Sequence, residues 1–295
     1  MRVRVLGSAA GGGFPQWNCH CETCEAARAG ERARPRTQSS LAICGDDGPW
    51  FLVNASPDLR QQLETLDRQP VDGVRAPPMA GVLLTDAEID HTAGLLLLRE
   101  AATPVRVFGA AGVERALTDS YPLLPMLERY CGAEWRTLEP GRPQPLTGSS
   151  LAVEPFAAGG DEPRYLDPDV ELEASGFVFS DSGGTVTYVP GLARLDDSVV
   201  ARLAASDLVL VDGTFWHDDD LARLGISDRT ARDMGHTPLA GPGGILEVLA
   251  GLERPRKVLV HINNTNPILL EDSPEREQVV RAGVEVAYDG LEVEL

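Results

Sequence analysis

Short apolar segments typical of β-strands occur in both halves of the chain, and they constrain its fold most. The first group occupies residues 2–6, 40–44, 50–54, 81–84 and 105–108. The second group occupies residues 151–155, 176–180, 185–189, 208–211, 258–261, 284–288 and 291–295. Because helical stretches accompany both groups, we expect two sheets with helices on their outer faces.

Helices and loops are predicted between these strands. Ser56 is expected to cap a helix over residues 57–66. Further helices are expected at residues 91–99, 196–205 and 275–282, with helical or irregular structure over residues 110–136. Proline and glycine predict loops at residues 76–81 and 241–244. The chain shows neither a fixed-period repeat nor a low-complexity linker, so one domain over residues 1–295 is predicted.

Composition and charge exclude several classes of protein. A hydrophobic content of 43% supplies a buried core, and a formal net charge of −19 argues against binding to nucleic acid. The sequence lacks a signal-like start and an apolar run of about 18 residues that could span a bilayer. We therefore expect a soluble, cytoplasmic protein that is not inserted in a membrane.

Three of the five cysteines, Cys19, Cys21 and Cys24, lie within six residues. Thiolates hold zinc at about 2.3 Å, and a closed structural site needs four ligands. A cysteine-rich zinc loop over about residues 17–24 is therefore predicted, with the fourth ligand from His20 or from a distant segment. Cys44 and Cys131 fit better as small buried apolar side chains.

An acidic loop follows the predicted strand 81–84 and precedes a predicted helix. It carries Asp86, Glu88 and Asp90 together with His91. Three carboxylates this close repel one another unless a cation or solvent relieves the repulsion. The loop is therefore either a metal site or a solvated turn in which Asp90 caps the next helix.

A second histidine has a matching context. His261 ends a predicted strand and is followed by Asn263 and Asn264, amides that are more typical of a polar pocket than of a core. Asp90, His91 and His261 would form a two-histidine, one-carboxylate set, which suits Fe²⁺ with open positions for substrate and oxygen.

Two further residues are candidates for the same site. His236 is either part of it or a surface loop residue. Asp212 ends another apolar strand, where a buried acid needs a metal or backbone donors as partners. His217 lies beside three aspartates and is expected to face solvent.

Together these motifs resemble the pyrroloquinoline quinone (PQQ) biosynthesis protein B family, PqqB. The matching segments are residues 7–24 (GSAAGGGFPQWNCHCETC), 54–58 (NASPD), 84–100 (LTDAEIDHTAGLLLLRE), 212–216 (DGTFW), 234–238 (MGHTP) and 261–269 (HINNTNPIL). The resemblance implies an α/β (α+β) metallo-β-lactamase-like fold, a four-layer αββα sandwich of two mixed sheets flanked by helices. It also implies a role in making the cofactor from a ribosomal peptide precursor.

The chain departs from the metal loop of the wider superfamily, His-x-His-x-Asp-His after a threonine. Its two leading histidines are replaced by Asp86 and Glu88, whereas Asp90, His91 and His261 match. Pro190 and Gly191 stand where the aspartate that bridges two metals is expected, which argues against a dinuclear zinc hydrolase. In similar phosphodiesterases with a Cys-x-Cys-x-x-Cys zinc, the fourth ligand corresponds to Asn264.

The leading functional hypothesis is an Fe²⁺-dependent hydroxylase, an oxidoreductase that acts with O₂ on a tyrosine-derived, tyrosine/glutamate precursor of PQQ. In it Asp90, His91 and His261 hold the iron, and the neighbouring polar residues support these ligands or contact substrate. Those neighbours are Asp86, Glu88, Asp212, His236 and Asn263. The alternatives are a carrier for transport of PQQ or its precursor, and a metallo-hydrolase. Other PQQ-pathway proteins are possible partners.

Overall fold

A computed structural model describes residues 1–46, 48–67, 74–160, 162–167 and 172–295, and within them the chain forms two seven-stranded sheets. The strands of the first sheet are β1 (Arg2–Gly7), β2 (Ser40–Cys44), β3 (Trp50–Val53), β4 (Met79–Leu83), β5 (Val105–Gly109), β6 (Ala133–Thr137) and β14 (Glu292–Glu294). Those of the second are β7 (Gln144–Pro145), β8 (Ala152–Ala157), β9 (Ser175–Ser180), β10 (Thr185–Val189), β11 (Leu208–Asp212), β12 (Arg256–Val260) and β13 (Glu285–Val286).

Both sheets are mixed in the same way. In the order β14-β1-β2-β3-β4-β5-β6, the first sheet is antiparallel from β14 to β3 and parallel from β3 to β6. The second, β13-β12-β11-β10-β9-β8-β7, is parallel from β13 to β10 and antiparallel from β10 to β7. The prediction of two mixed sheets is confirmed.

The strand sequences bury apolar side chains on both faces of each sheet. Phe51 and Leu83 of the first sheet meet Phe177, Tyr188 and Leu210 of the second in one buried cluster. Burying such a side chain stabilises the fold by about 1.5–3 kcal/mol. The opposite faces of the sheets pack against helices in two further clusters, which gives four layers.

The outer layers contain nine α-helices within the described residues. They are α1 (Glu22–Ala29), α2 (Leu59–Leu63), α3 (Ile89–Thr92), α4 (Ala111–Arg115), α5 (Leu123–Leu127), α6 (Asp197–Ala205), α7 (Asp220–Arg223), α8 (Ile245–Gly251) and α9 (Pro274–Arg281). Side-chain caps define the starts of α6 and α9, where Asp196 and Ser273 accept the amides of Val199 and Arg276. In the same part of the chain, we find no helix with the length and apolar content that a membrane crossing requires.

The helix predicted at residues 57–66 is shorter than expected, and Ser56 does not cap it. The Ser56 hydroxyl accepts the Asp58 amide and donates to Gln62, while the α2 helix begins only at Leu59. The sequence pattern missed the intervening turn because Ser56 bonds within that turn, one step before the helix.

The helix predicted at residues 91–99 is also different. A short α-helix, α3, passes at Ala93 into a 3₁₀-helix over Ala93–Glu100. Gly94 explains the change, since its amide donates to the Ala55 carbonyl at 2.9 Å and an added Cβ would lie 2.1 Å from the Ser56 carbonyl oxygen. The close contact between the backbone of Gly94 and that of residues 55–56 therefore favours the 3₁₀-helix over a continued α-helix.

Several boundaries predicted from sequence are wrong. Strand β6 lies at the end of the stretch expected to be helical or irregular, and β4 begins inside the expected loop 76–81. Helix α1 was missed, although Glu22 in its first turn and Gly30 after its end (φ 71°) are ordinary helix signals. The two C-terminal strands join different sheets, β13 beside β12 and β14 beside β1.

Candidate metal centre

Polar side chains converge where parallel strands of the two sheets end. The acidic loop follows β4, Asp212 ends β11, and His261 follows β12 directly. The carboxyl ends of parallel strands are the usual place for binding sites in α/β folds. Two groups of potential ligands result: Asp90, His91 and His261, and Asp212, His236 and His261.

Asp90 lies between the two imidazoles of the first group. Its Oδ2 is 3.7 Å from Nε2 of His91 and 3.7 Å from Nε2 of His261, and the two rings meet edge to face at 5.1 Å. Two donors that each lie about 2.1 Å from one ion are at most about 4.2 Å apart. These distances therefore fit a single metal ion held among the three side chains.

His91 is oriented by Asp86. The carboxylate of Asp86 accepts Nδ1–H of His91 at 2.7 Å, and it also accepts the Thr85 hydroxyl and the Glu88 amide. The Asn54 side chain in turn binds the amide and hydroxyl of Thr85. Asp86 therefore supports His91 from behind, in the manner of a carboxylate that orients a metal-binding histidine.

His261 is oriented by Thr214. The Thr214 hydroxyl lies 2.6 Å from Oδ1 of Asp212 and 2.9 Å from Nδ1 of His261. The Asp212 carboxylate at 2.6 Å and the His261 carbonyl at 2.8 Å can both only accept, so the single hydroxyl hydrogen goes to the nearer oxygen, that of Asp212. Nδ1–H of His261 therefore donates to Thr214. His261 consequently keeps the lone pair of Nε2 for the side that faces Asp90.

Asp212 supports the second group and is not placed to bind an ion. One of its oxygens accepts Nδ1–H of His236 at 2.7 Å and the Leu192 amide at 2.9 Å, and the other accepts the amide and hydroxyl of Thr214. The His236 ring stacks on His261 at 5.4 Å. Both oxygens of Asp212 are therefore occupied, and two of the four donors are backbone amides, one of the two kinds of partner predicted from the sequence.

His91 provides the test of whether a metal fits. Its Nε2 is buried and, among the described residues, has no hydrogen-bond partner. A buried polar atom without a hydrogen bond destabilises the fold by about 1–3 kcal/mol, and a bond from this nitrogen to a metal would remove that penalty. Gly11 leaves space beside the Asp90 carboxylate, since a Cβ there would lie 3.1 Å from Oδ2. The donors fit one divalent cation.

The titration of these groups reflects their burial and mutual charges. Burial opposes the charged form of His91, but Asp86 and Asp90 outweigh it and raise its pKa to about 9. Burial acts against ionisation of Asp90 as well, yet His91 and His261 hold the pKa of that carboxyl well below its usual range. Burial, His91 and His236 lower the pKa of His261. In the absence of metal, the cluster therefore holds a proton on His91.

The three clustered cysteines form a separate group of potential ligands. The Sγ atoms of Cys19, Cys21 and Cys24 lie within 4.8 Å of one another, and Asn264 Nδ2 is 3.3 Å from Cys24 Sγ. Rotation of the Asn264 amide by 180° would present its oxygen to the same point, because the two amide orientations have nearly the same shape. The His20 ring is exposed and pairs with Glu25 at 2.9 Å, and it is not grouped with the three cysteines.

Comparison with known proteins identifies the family. Residues 49–262 match the beta-lactamase superfamily domain. The chain is 48% identical to coenzyme PQQ synthesis protein B of Cupriavidus taiwanensis, over 99% of both chains, and 45% identical to that of Methylococcus capsulatus over 100% of both. The crystal structure of zinc-bound PqqB from Methylobacterium extorquens superposes with a TM-score of 0.91 at 41% identity, over the full length of both chains.

The chain belongs to the coenzyme PQQ synthesis protein B family, in the beta-lactamase superfamily.

More distant structures share the fold alone. A diphosphatase of the PhnP family superposes with a TM-score of 0.72 at 19% identity, over 100% of this chain. The metallo-β-lactamase fold and the membership of the PqqB family, both predicted from sequence, are confirmed.

The structure brings most of the predicted site residues of this PqqB family member together, although their roles stay predictions. Glu88 lines a cavity beside the cluster. The Asn263 amide nitrogen instead donates to the hydroxyl of Thr265, two residues along its own loop, at 2.6 Å. The sequence analysis did not name Thr214 or Asn54 as site residues. Thr214 could have been found from its position two residues after Asp212, the aspartate that ends β11.

Proposed function

We propose that the chain acts in the synthesis of PQQ as an iron-dependent oxygenase that hydroxylates a tyrosine-derived precursor. The role in PQQ synthesis is supported by the names of relatives that are 45–48% identical over at least 99% of the chain. The chemistry is supported by the donor set at the cluster.

The observation that carries the oxygenase proposal is the arrangement of Asp90, His91 and His261 around one point. Two imidazoles and one carboxylate leave open coordination positions, which suits Fe²⁺ and O₂ better than a closed structural site. Iron held there would supply the one-electron redox chemistry that O₂ needs to react with an aromatic ring.

The protein's own residues hold this arrangement before substrate arrives. Asp86 and Thr214 fix the imidazoles of His91 and His261 so that the Nε2 atoms of both rings face Asp90. His91 and His261 are buried and Asp90 is partly buried, which limits the access of water and protects a reactive centre from side reactions. Hydroxylation places one oxygen atom on the ring and reduces the other to water, so an assay must also supply two electrons and two protons.

We propose in addition that Cys19, Cys21, Cys24 and Asn264 bind a structural zinc. Three thiolates and one further donor complete a tetrahedral site, in which about 3.8 Å separates sulfur atoms. The site would tie α1 to the loop after β12, since the Thr23 hydroxyl already binds the Asn264 carbonyl. Zinc has no redox chemistry, so a chain with both metals would use them for different purposes.

The His91→Ala variant tests the oxygenase proposal. Anaerobic loading with Fe²⁺, followed by addition of oxygen, ascorbate and a tyrosine-containing precursor, should give hydroxylated product with the unaltered protein. We expect His91→Ala to lose the iron and at least about a hundredfold in rate, because an imidazole ligand is removed. Metal analysis should show its zinc unchanged.

His217→Ala is the matched control, since His217 packs beside Trp216 and belongs to neither donor group. It should keep iron and activity. Full hydroxylation by His91→Ala without bound iron would overturn the proposal. Tight binding of the quinone by both variants, with no metal-dependent reaction, would favour a carrier.

A further inference from the structure

A cavity of about 290 Å³ lies beside the candidate metal centre. Its lining residues come from three separate segments, and they are Glu88, Ile89, Glu162, Arg164, Tyr165, Arg229 and Met234. Ile89 directly precedes Asp90, and Met234 lies two residues before His236. The cavity is therefore bordered by the same loops that carry the cluster.

Two arginines contribute cationic groups to the lining of this cavity. Arg164 comes from the loop between β8 and β9, and Arg229 from the loop after α7, where its guanidinium donates to the Asp233 carbonyl. A chain with net charge −19 repels anions over its surface, so a carboxylate ligand needs a local cationic group to enter. Guanidinium groups match carboxylates with paired hydrogen bonds.

The other lining residues supply acidic and apolar contacts. Glu88 and Glu162 are suited to an ammonium group. Ile89, Met234 and the ring of Tyr165 offer apolar and aromatic surface, which suits an aromatic ring. Tyr165 is held in place because its hydroxyl donates to the Ala87 carbonyl and its ring packs edge to face on Tyr121 at 5.4 Å.

We propose that this cavity binds the amino acid portion of an aromatic amino acid substrate. Arg164 and Arg229 bind the carboxylate, Glu88 and Glu162 bind the ammonium group, and the apolar residues pack against the ring. The assignment rests on the proposed function for the aromatic ring and on the lining charges for the zwitterion. The volume is near the lower end for ligand sites, about 300 Å³, so the cavity fits a single amino acid unit better than a peptide chain.

Three related probes test this proposal on the metal-loaded full-length protein without oxygen, so that binding is measured apart from turnover. L-tyrosine carries both charges, tyramine lacks the carboxylate, and 3-(4-hydroxyphenyl)propionate lacks the ammonium group. We expect calorimetry to show L-tyrosine binding at least about tenfold more tightly than either analogue, because a charge-assisted hydrogen bond is lost with each.

Variants assign each charge to its residues. Arg164→Gln and Arg229→Gln should each weaken the binding of L-tyrosine and the propionate by about tenfold and leave tyramine unchanged. Glu162→Gln should weaken L-tyrosine and tyramine and spare the propionate. The matched control is Arg223→Gln, an exposed arginine of α7 that pairs with Asp219 and lies outside the cavity lining.

The proposal is overturned if the unaltered protein does not bind L-tyrosine at millimolar concentration. It also fails if the arginine variants bind as the unaltered protein does, or if they lose tyramine and L-tyrosine equally, as a general loss of structure would cause. Arg164→Lys, which keeps the charge, should recover part of the affinity.

If this binding pattern holds but no hydroxylation occurs, the cavity assignment stands and the oxygenase proposal falls. If hydroxylation occurs but the arginine variants bind as the unaltered protein does, the oxygenase proposal stands and the cavity assignment falls.

Discussion

Each imidazole of the cluster has its Nδ1 bound to an oxygen of a neighbouring residue. Asp86 accepts from His91, Thr214 from His261, and Asp212 from His236. A neutral histidine held in this way has only Nε2 left as an acceptor. The supporting residues therefore decide which nitrogen of each ring can bind a metal, and Asp90 is the acid of the cluster left to bind one directly.

At the residue scale we predict that metal affinity rises with pH. The pKa of His91 is about 9, so below that pH a metal must displace the proton on this ring. We expect about one proton released per ion and roughly a tenfold gain in affinity per pH unit from pH 6.5 up to about 9, with a plateau above. Competition with a chelator at each pH measures the affinity.

Asp86→Asn is the control for this dependence. Because Asp86 raises the pKa of His91, its removal should move the plateau to lower pH. Affinity that does not change between pH 6.5 and 9 would contradict the prediction. Without metal, the raised pKa of His91 stabilises the fold below pH 6.5, and this contribution disappears as pH rises through about 9.

At the element scale, short irregular segments position the ligands more than long helices do. His91 lies in the four-residue helix α3, and its carbonyl accepts the Ala55 amide at 2.7 Å. The 3₁₀-helix that follows is fixed to the same loop through Gly94. His261 itself has a positive φ of 53°, a strained conformation for a residue with a side chain. Tertiary contacts therefore hold both histidines.

We predict that Gly94→Ala destabilises the fold by about 1–3 kcal/mol, as overpacking of a tight interior does. The new Cβ would lie 2.1 and 2.7 Å from the carbonyl oxygens of Ser56 and Ala55, and both belong to backbone that cannot rotate away. Chemical denaturation with urea measures the loss.

Gly251→Ala in α8 is the matched control, because a Cβ there meets nothing within 4 Å. This change should leave the free energy of unfolding unchanged or raise it by up to about 1 kcal/mol, since alanine favours a helix. Equal effects of the two substitutions would show that Gly94 does not approach the backbone of residues 55–56 so closely.

At the scale of the whole molecule, net charge opposes the packing of the two sheets. The chain has 45 acidic and 26 basic residues, so like charges surround a core that both sheets share. Repulsion among them destabilises the compact state and is screened by salt. Charge therefore limits stability without deciding the fold.

We predict that the thermal unfolding midpoint rises when KCl is raised from about 0.01 M to about 0.15 M, since the screening length falls from about 30 Å to about 8 Å. A stabilisation of 1 kcal/mol would correspond to a rise of about 2–4 °C for a chain of this size. The same salt step near pH 4.6, where the net charge approaches zero, should have a much smaller effect. A midpoint that falls with KCl at pH 7 would refute the prediction.

The two groups of strands, the three clustered cysteines and the membership of the PqqB family could be recognised from the amino-acid sequence without a structure. The sequence also placed Asp90, His91 and His261 at strand ends, because apolar runs that stop at polar residues are a local pattern. The hydrogen bonds that hold these side chains in place could not be predicted from the sequence. Thr214 lies 47 positions from His261 and Asn54 lies 31 from Thr85, so these hydrogen bonds arise only when the strands pair. That Asp86 and Asp212 accept hydrogen bonds from His91 and His236 became visible in the folded chain. The role of a carboxylate depends on the donors within reach, and those donors are determined by tertiary packing.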